Sequence, residues 1–258
     1  LNELTNALTI NKIEYLVITS DDLSKKMVAD ALFIIGGDGT ILSLTEFSNQ
    51  NEIPIIGINA GKLGFLSEFE KTGVLEAVKC LKDGAFVKDE RLTLKVQFNA
   101  NCYYALNDVF IQRIYSDSLG CMTADINVKI NTITSLAFKG DGVVVATPTG
   151  STAYSLSAGG SILTLDIPVL SVTPIAAHTF NQRSVVFSAD ATCQVENIGK
   201  APVGLFTDGK FVGELHRGDK IHTTKAEKKT VFLRKKNFNV FKTISYKMRN
   251  NYGGEYND

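Results

Sequence analysis

Asp38 stands in the run Gly36-Gly37-Asp38-Gly39-Thr40, directly after the apolar stretch Ala31 to Ile35 and before a helix-like stretch. A carboxylate in such company can do one of two things. It can hold a divalent cation, or it can take a proton from an attacking hydroxyl. Its neighbours Gly36, Gly37, Gly39 and Thr40 form a candidate phosphate loop. Glycine lets the backbone turn sharply and lets phosphate oxygens approach it, and a helix N-terminus offers N–H groups to an anion. The plainer alternative makes Asp38 a turn residue capping a helix from Ile41. A lone Gly-Asp-Gly would favour that alternative; three glycines and a threonine at a strand-to-helix junction favour phosphate. No Walker A motif competes. Gly57-Ile58-Asn59-Ala60-Gly61-Lys62-Leu63 has one residue too few between its glycines and no Ser or Thr after the lysine. No dinucleotide fingerprint GxGxxG opens a helix either. Phosphate bound here would be held by glycine backbone, without a P-loop lysine.

A second constellation lies about a hundred residues downstream. Gly140-Asp141-Gly142 leads into Val143 to Ala146, and then into Thr147-Pro148-Thr149-Gly150-Ser151-Thr152-Ala153-Tyr154-Ser155-Leu156-Ser157-Ala158-Gly159-Gly160. This reads as a strand, a hydroxyl-rich turn and a short helix. The turn supplies hydroxyl and N–H donors, and Tyr154 can stack on a base. The alternative is a Ser/Thr capping series with Tyr154 in the core. Lys139, just before the Gly-Asp-Gly, is either a phosphate contact or a solvated strand-end lysine; both stay open.

These residues need a scaffold. Ala31 to Ile35 is continuously apolar, which suits a strand buried on both faces of a parallel sheet. Leu1, Leu4, Ala7 and Leu8 follow helical spacing, and Ile13 to Thr19 reads as a strand. Ile41 to Phe47 reads as a helix, Ile53 to Ile58 as a second buried strand leading into the loop Asn59 to Phe65, and Gly73 to Leu81 as a further helix. Strand and helix alternate, so this part is a parallel α/β sheet, with ligands expected beyond the carboxyl ends of its strands. From Asp89 the pattern changes. Leu92 to Phe98 and Asp125 to Ile130 alternate with period two, and Tyr103 to Gln112 and Val143 to Ala146 are strand-like. Phe206-Thr207-Asp208-Gly209-Lys210-Phe211 places Asp-Gly between strand-like runs, a hairpin signal. The expected organisation is an α/β domain over 1–89, a β-rich domain over 90–235, and a helix or tail over 236–258. Within that tail, Asn237 to Met248 would form a terminal helix or return to the first domain. Two touching domains with a cleft between them fit this pattern. The chain opens without Met in what reads as mid-helix, so the first domain is expected to be truncated at its start and completed by the C-terminal segment.

Composition narrows the class. Lys plus Arg number 27 and Asp plus Glu 27, which gives no electrostatic case for nucleic acid or a membrane surface. Cys80, Cys102, Cys121 and Cys193 show no CxxC spacing, and His178, His216 and His222 are scattered, so reduced thiols are expected rather than a metal site. No signal peptide and no apolar run of membrane-spanning length is present, and a cytoplasmic protein is the simplest expectation.

Several runs together resemble, in order, the pattern of the NAD kinase family. They are GGDGT, the loop Asn59-Ala60-Gly61-Lys62-Leu63-Gly64-Phe65-Leu66, Leu106-Asn107-Asp108, and GDG followed by TPTGSTAYSLSAGG. Thr173-Pro174-Ile175-Ala176-Ala177-His178 and Thr207-Asp208-Gly209 continue the match, which runs from about Ala31 to Gly213. The TPTGSTAYSLSAGG block is very specific; GGDGT is shared with 6-phosphofructokinases and diacylglycerol-type lipid kinases. The resemblance implies an α/β domain and a β-rich domain with NAD bound between them, phosphorylated to NADP. It makes Asp38 the base that activates the adenosine-ribose 2′-hydroxyl, with Gly39 beside it in the same pocket. Asn107 and Asp108 would match an Asn-Glu/Asp pair that contacts the nucleotide, and Phe65 would line the pocket. Thr149, Thr152, Ala153, Tyr154 and Ser157 would shape the adenine and ribose sites, and Asp141 would hold the other end of the dinucleotide. ATP with a divalent metal, Mg²⁺, would donate the phosphoryl group, and a homodimer or homotetramer is implied. Two departures stand out. The family's first strand and the loop after it, near the triphosphate, are absent. Ala176-Ala177 replaces the usual cysteine and proline before the histidine. Gly209 and Lys210 lie where the family varies. Two rival functions remain: a lipid kinase of the diacylglycerol type, which should lack TPTGSTAY, and a non-catalytic dinucleotide-binding regulator, which would not need a carboxylate beside phosphates.

Overall fold

The computed structural model describes residues 1–61, 64–114, 123–179, 181–236, 238, 239, 241, 244 and 245, with the side chains of 134 and 135 outside the description. Two compact units divide the chain: Leu1–Glu90 with Thr230–Asp258, and Arg91–Lys229. Cys121 and most of the expected terminal helix over 237–248 lie outside the described residues.

The first unit opens with α1 (Asn2–Ile10), which buries Leu4, Ala7 and Leu8 on one stripe, as their helical spacing requires. Then come β1 (Leu32–Gly36), α2 (Asp38–Asn51), β2 (Ile55–Asn59), the short β3 (Phe69–Glu70), α3 (Val74–Lys82) and β4 (Phe86–Arg91). β1 and β2 pair in parallel, Leu32 opposite Ile55 through Gly36 opposite Asn59, and β3 also joins β2 in parallel. Ile56 and Ile58 of β2 pack with α1 and α3 in one cluster that also contains Phe69 and Leu233. The other face of β2 meets α2: a Cβ on Gly57 would stand 2.8 Å from Ile41 Cδ1. Helices on both faces of a parallel sheet follow from this.

Ile13 to Thr19 forms no strand, and Tyr15, Leu16 and Val17 are exposed. A strand persists only when its backbone groups pair laterally, and none of the described strands pairs with this segment. The helix expected from Ile41 begins three residues earlier, at Asp38, with Gly37 as N-cap.

The second unit is built from antiparallel strands. In chain order they are β5 (Leu94–Phe98), β6 (Asn101–Ala105), β7 (Asp108–Arg113), β8 (Ala124–Ile130), β9 (Ile133–Gly140) and β10 (Gly142–Ala146). The short α4 (Tyr154–Ser157) follows. β11 (Val169–Ile175), β12 (Val185–Ser188), β13 (Cys193–Asn197), β14 (Val203–Thr207), β15 (Lys210–Leu215) and β16 (Lys220–Lys225) complete the unit. They form two six-stranded sheets, ordered β12-β11-β10-β7-β14-β15 and β6-β5-β16-β13-β8-β9. One core joins the sheets. Val109, Ile111, Val143, Val145, Val203 and Leu205 come from the first sheet, and Leu94, Val96, Ile126, Val128, Val195 and Ile221 from the second. Alternate residues of each strand face inward, the pattern of a β-sandwich.

The strand-like stretch Tyr103 to Gln112 is therefore two strands in different sheets, with Leu106-Asn107 carrying the chain across. Finally β17 (Thr230–Lys235) returns to the first sheet, between β2 and β4. The sequence placed this segment with the β-rich domain. Phe232 and Leu233, adjacent and on opposite faces, are both buried, which an inner strand of a covered sheet provides. Arg234, 1% exposed, meets Glu68 at 3.4 Å and Asp89 at 3.3 Å, tying β17 to the segment before β3 and to β4.

Candidate active site

In the first unit, the glycine run closes β1 and opens α2. Gly36 is needed for packing, since a Cβ there would stand 2.5 Å from Thr40 Oγ1. Nothing lies within 4 Å of where a Cβ would sit on Gly37 or Gly39, so an approaching group meets backbone there. The helix closes its first turn on Gly37, whose carbonyl accepts from Thr40 N at 3.0 Å and Ile41 N at 3.2 Å. Asp38 is the first helical residue, directly after Gly37 as N-cap. Its carboxylate accepts Phe65 N–H at 2.8 Å and Leu66 N–H at 3.1 Å. Asp38 thus grips the loop after β2. The N-terminal end of the α2 dipole favours negative charge at this spot.

That loop is pinned at several points. Gly61 N donates to Asn59 Oδ1 at 2.7 Å, Gly64 N donates to Ser67 Oγ at 3.0 Å, and Glu68 N donates to Gly57 O at 2.9 Å. A Cβ on Gly64 would collide with the Asp38 carboxylate and displace it. Gly36, Gly37, Asp38, Gly39, Thr40 and Phe65 are therefore brought together.

In the second unit, Asn107 and Asp108 sit where the chain crosses between sheets. The Asp208 carboxylate accepts the N–H groups of Leu106 at 2.7 Å, Asn107 at 2.8 Å and Asp108 at 3.2 Å. On the acceptor side, Thr147 Oγ1 donates to Leu106 O at 2.6 Å and Thr147 N to Asn107 O at 2.9 Å. Gly150 packs against the same peptide, and a Cβ on it would collide with Asn107 O. Asn107-Asp108 and the start of the Thr-Pro-Thr-Gly turn are thus one locked piece. Asp108 is buried. Burial, and second the charge of Asp208, push its carboxyl up to about 7. Burial likewise pushes Asp208 up to about 6, against the opposing pull of its three backbone N–H bonds.

The hydroxyl-rich run forms a 3₁₀ turn over 150–152 and then α4. Its hydroxyls are partly used locally. Thr149 Oγ1 accepts from the buried Arg91 at 3.3 Å, and Thr152 Oγ1 donates to Thr149 O at 3.2 Å. Ser157 is exposed and Ala153 half-buried. Tyr154 packs edge-on to Phe110, centroids 4.9 Å apart, and its hydroxyl meets Gln112 Oε1 at 3.3 Å. Phe110 in turn stacks on Phe206 at 4.7 Å. Asp108, Phe110 and Gln112 alternate along β7, so Tyr154 lies on the face that carries Asp108.

Asp141 and Lys139 are not gathered with this cluster. β7 and β10 pair so that Asp108 opposes Ala146 and Gln112 opposes Gly142. Asp141 therefore stands at the opposite end of β10 from Thr147, a span of about 16 Å for five residues. Its carboxylate pairs with Arg113 Nε at 3.0 Å. The flanking glycines are demanded by neighbouring strands: a Cβ on Gly142 would collide with Ile111 O, and one on Gly140 would stand 2.9 Å from Ile175 O. Lys139 belongs to β9 of the other sheet, opposite Asp125, with Nζ 3.8 Å from that carboxylate.

Sequence reasoning assigned no role to Asp208, Arg113, Gln112, Arg91 or Gly64. Gly64 and Asp208 lie in runs that carry the family resemblance, and Asp208 also has its Asp-Gly hairpin signal, but none of these signals predicted a partner for Asp38 or Asn107. Among the described residues no group of three or more His, Cys, Asp or Glu side chains could hold a metal, and no helix is long and apolar enough to cross a membrane.

A parallel-sheet unit with a carboxylate in a glycine-rich strand-to-helix turn, joined to a β-sandwich bearing a hydroxyl-rich turn, has the form of the two-domain nucleotide kinases. Comparison with known proteins specifies which. The ATP-NAD kinase N-terminal domain model matches residues 7–85, and the ATP-NAD kinase C-terminal domain model matches residues 106–235. An NAD kinase of Caldicellulosiruptor saccharolyticus is 30% identical over 249 residues, 96% of this chain and 93% of that protein. An NAD kinase of Sulfurimonas denitrificans is 35% identical over 224 residues, 85% of this chain and 77% of that protein. Yeast NADH kinase, solved in complex with NADH, aligns with a TM-score of 0.78 at 26% identity, covering 89% of this chain and 69% of that one. An NAD kinase from Archaeoglobus fulgidus, solved with ATP, shares the fold, with a TM-score of 0.81 at 23% identity over 96% of this chain and 94% of that one. The chain belongs to the NAD kinase family.

Proposed function

We propose that this protein transfers the γ-phosphoryl group of ATP to the 2′-hydroxyl of the adenosine ribose of NAD, giving NADP and ADP. The observation that carries this is the setting of Asp38. A carboxylate held at the carboxyl end of a parallel strand, beside open glycine backbone, has the means to take a proton next to a phosphate. Asp38 accepts the proton of the 2′-hydroxyl as the oxygen bonds to the γ-phosphorus. The bond from that phosphorus to the β–γ bridging oxygen breaks, and ADP leaves. A positioned base of this kind contributes about 10²–10⁴-fold in rate. The N–H groups of Phe65 and Leu66 hold the Asp38 carboxylate in place at the end of the strand.

The rest of the transfer needs positioning and charge neutralisation rather than covalent chemistry. Gly36, Gly37, Gly39 and Thr40 cradle phosphate through backbone. Phe65 lines the ribose pocket, Asn107 and Asp108 contact the nucleotide, and Thr149, Thr152, Ala153, Tyr154 and Ser157 shape the adenine and ribose sites. Asp141 holds the far end of the dinucleotide. Lys139 reaches a phosphate by giving up an exposed ion pair worth under ~1 kcal/mol. A divalent metal, Mg²⁺, supplies charge neutralisation on the triphosphate when bound. The residues fit a metal carried mainly by phosphate oxygens, since Mg²⁺ takes few protein carboxylates and no cluster of three such side chains occurs among the described residues. A cytoplasmic homodimer or homotetramer completes the proposal.

The test is an activity screen of the purified chain with ATP and Mg²⁺ against NAD and against diacylglycerol. NADP formation, read by an NADP-specific dehydrogenase, is the expected result. Lipid phosphorylation without NADP would overturn the assignment, and NAD binding without turnover would mark a regulator.

A further inference from the structure

Asp208 occupies a position where an aspartate is ordinarily a surface residue. It is the first residue of a two-residue hairpin turn between β14 and β15, with φ of 47°, followed by Gly209 at 80°, and Thr207 pairs with Lys210 across the turn. Asp-Gly is favoured there for its backbone alone. Here the side chain turns back onto the crossover between β6 and β7. It accepts three consecutive N–H groups, those of Leu106, Asn107 and Asp108, while its own N–H donates to Asp108 O at 2.9 Å. One carboxylate thus satisfies every backbone donor from Leu106 to Asp108, and Thr147 satisfies the carbonyls of Leu106 and Asn107.

Two facts argue that this is more than turn chemistry. The arrangement places Asp208 close enough to Asp108 for its charge to act on that carboxyl, a price in stability that a neutral anchor would avoid. It also fixes the peptides of Leu106-Asn107 and Asn107-Asp108, whose carbonyls meet the Thr147 to Gly150 turn. We infer that Asp208 is a positioning residue for the dinucleotide: its carboxylate sets the backbone of Asn107 and Asp108 and, through those peptides, their register with the Thr-Pro-Thr-Gly turn. The inference rests on the NAD-phosphorylating function proposed above.

The test compares Asp208→Asn with the unaltered protein. Asparagine keeps the shape, loses one acceptor and points an NH₂ at an N–H. Removing a charged acceptor of this kind corresponds to about a 10–100-fold effect. The KM for NAD is therefore expected to rise at least about 10-fold, with the KM for ATP within about twofold and kcat reduced much less, because the lost contact positions the bound ground state. Hydrogen exchange at the Asn107 and Asp108 amides should accelerate together with that rise. A merely structural role would lower the amount of folded protein and leave the KM for NAD of the folded fraction unchanged, and that result would overturn the inference. If Asp208→Asn does not fold, Asp208→Glu, which keeps the charge but moves it by one methylene, is read by the same criteria. Absence of NADP formation by the unaltered protein would instead refute the proposed function, so the two failures are distinguishable.

Discussion

Asp108→Asn is expected to yield a protein that is more stable above neutral pH and less active. Asp108 is 3% exposed, and burial, then the Asp208 charge, raise its pKa from 3.8 to about 7 with no hydrogen bond acting in the other direction. At ~1.36 kcal/mol per pH unit, ionising it in the fold costs on the order of 4 kcal/mol. Asparagine removes that cost but buries an amide whose N–H groups need partners, a penalty of about 1–3 kcal/mol. The net gain at pH 8 is about 1–3 kcal/mol. The sign follows from the proton count. Between pH 3.8 and about 7 the folded protein keeps a proton that the unfolded chain has released, so stability falls as pH rises across that window and levels off above it. Asp208, raised to about 6, adds a similar fall below pH 6 that both proteins share. Calorimetry at pH 5 and pH 8 reads the effect. The variant should melt at or below the unaltered protein at pH 5 and several degrees above it at pH 8, at roughly 2–4 °C per kcal/mol. Its kcat/KM for NAD should fall about 10–100-fold, the loss expected for a charged nucleotide contact. The same Tm difference at both pH values would refute the electrostatic cost, and a stabilised variant with unchanged kcat/KM would refute the role in binding.

Gly64→Ala forces a methyl group against the Asp38 carboxylate, so kcat should fall by at least ~10²-fold, the low end of general-base catalysis; unchanged kcat would show that the Asp38 position is not used. Tyr154→Ala should weaken NAD binding by about 10-fold or more if the ring stacks on a base, a contact worth ~1–3 kcal/mol. Tyr154→Phe keeps the ring while losing the 3.3 Å contact to Gln112 and should bind nearly as well; equal affinity of the alanine variant by calorimetry would rule out stacking.

What was legible in the sequence was local. An apolar run ending in Gly36-Gly37-Asp38-Gly39 announces a strand, a turn and a helix, because burial, glycine freedom and helix initiation all act within a few residues. The period-two stretch Leu92 to Phe98 likewise announces β5. What failed depended on partners far along the chain. Ile13 to Thr19 has the composition of a strand, but pairing decides whether it is one, and none of the described strands pairs with it. β17 enters the first sheet beside β2, with Phe232 opposite Ile55, a register that no local pattern encodes. The site shows the same division. The residue type and place of Asp38 could be read directly, whereas its bonds to Phe65 and Leu66 lie 27 and 28 residues away. Asp208 was legible as a turn, but its three partners lie about a hundred residues upstream.

The central claim is that Asp38 activates the ribose 2′-hydroxyl of NAD. It is tested most directly by measuring NADP formation from NAD and ATP by Asp38→Asn, with NAD affinity determined on the same sample by calorimetry. Asparagine keeps one of the two oxygens that accept from Phe65 and Leu66 but cannot take the proton. Turnover should fall by at least ~10²-fold while the Kd for NAD stays within a few-fold. Near-normal NADP formation by this variant would contradict the claim.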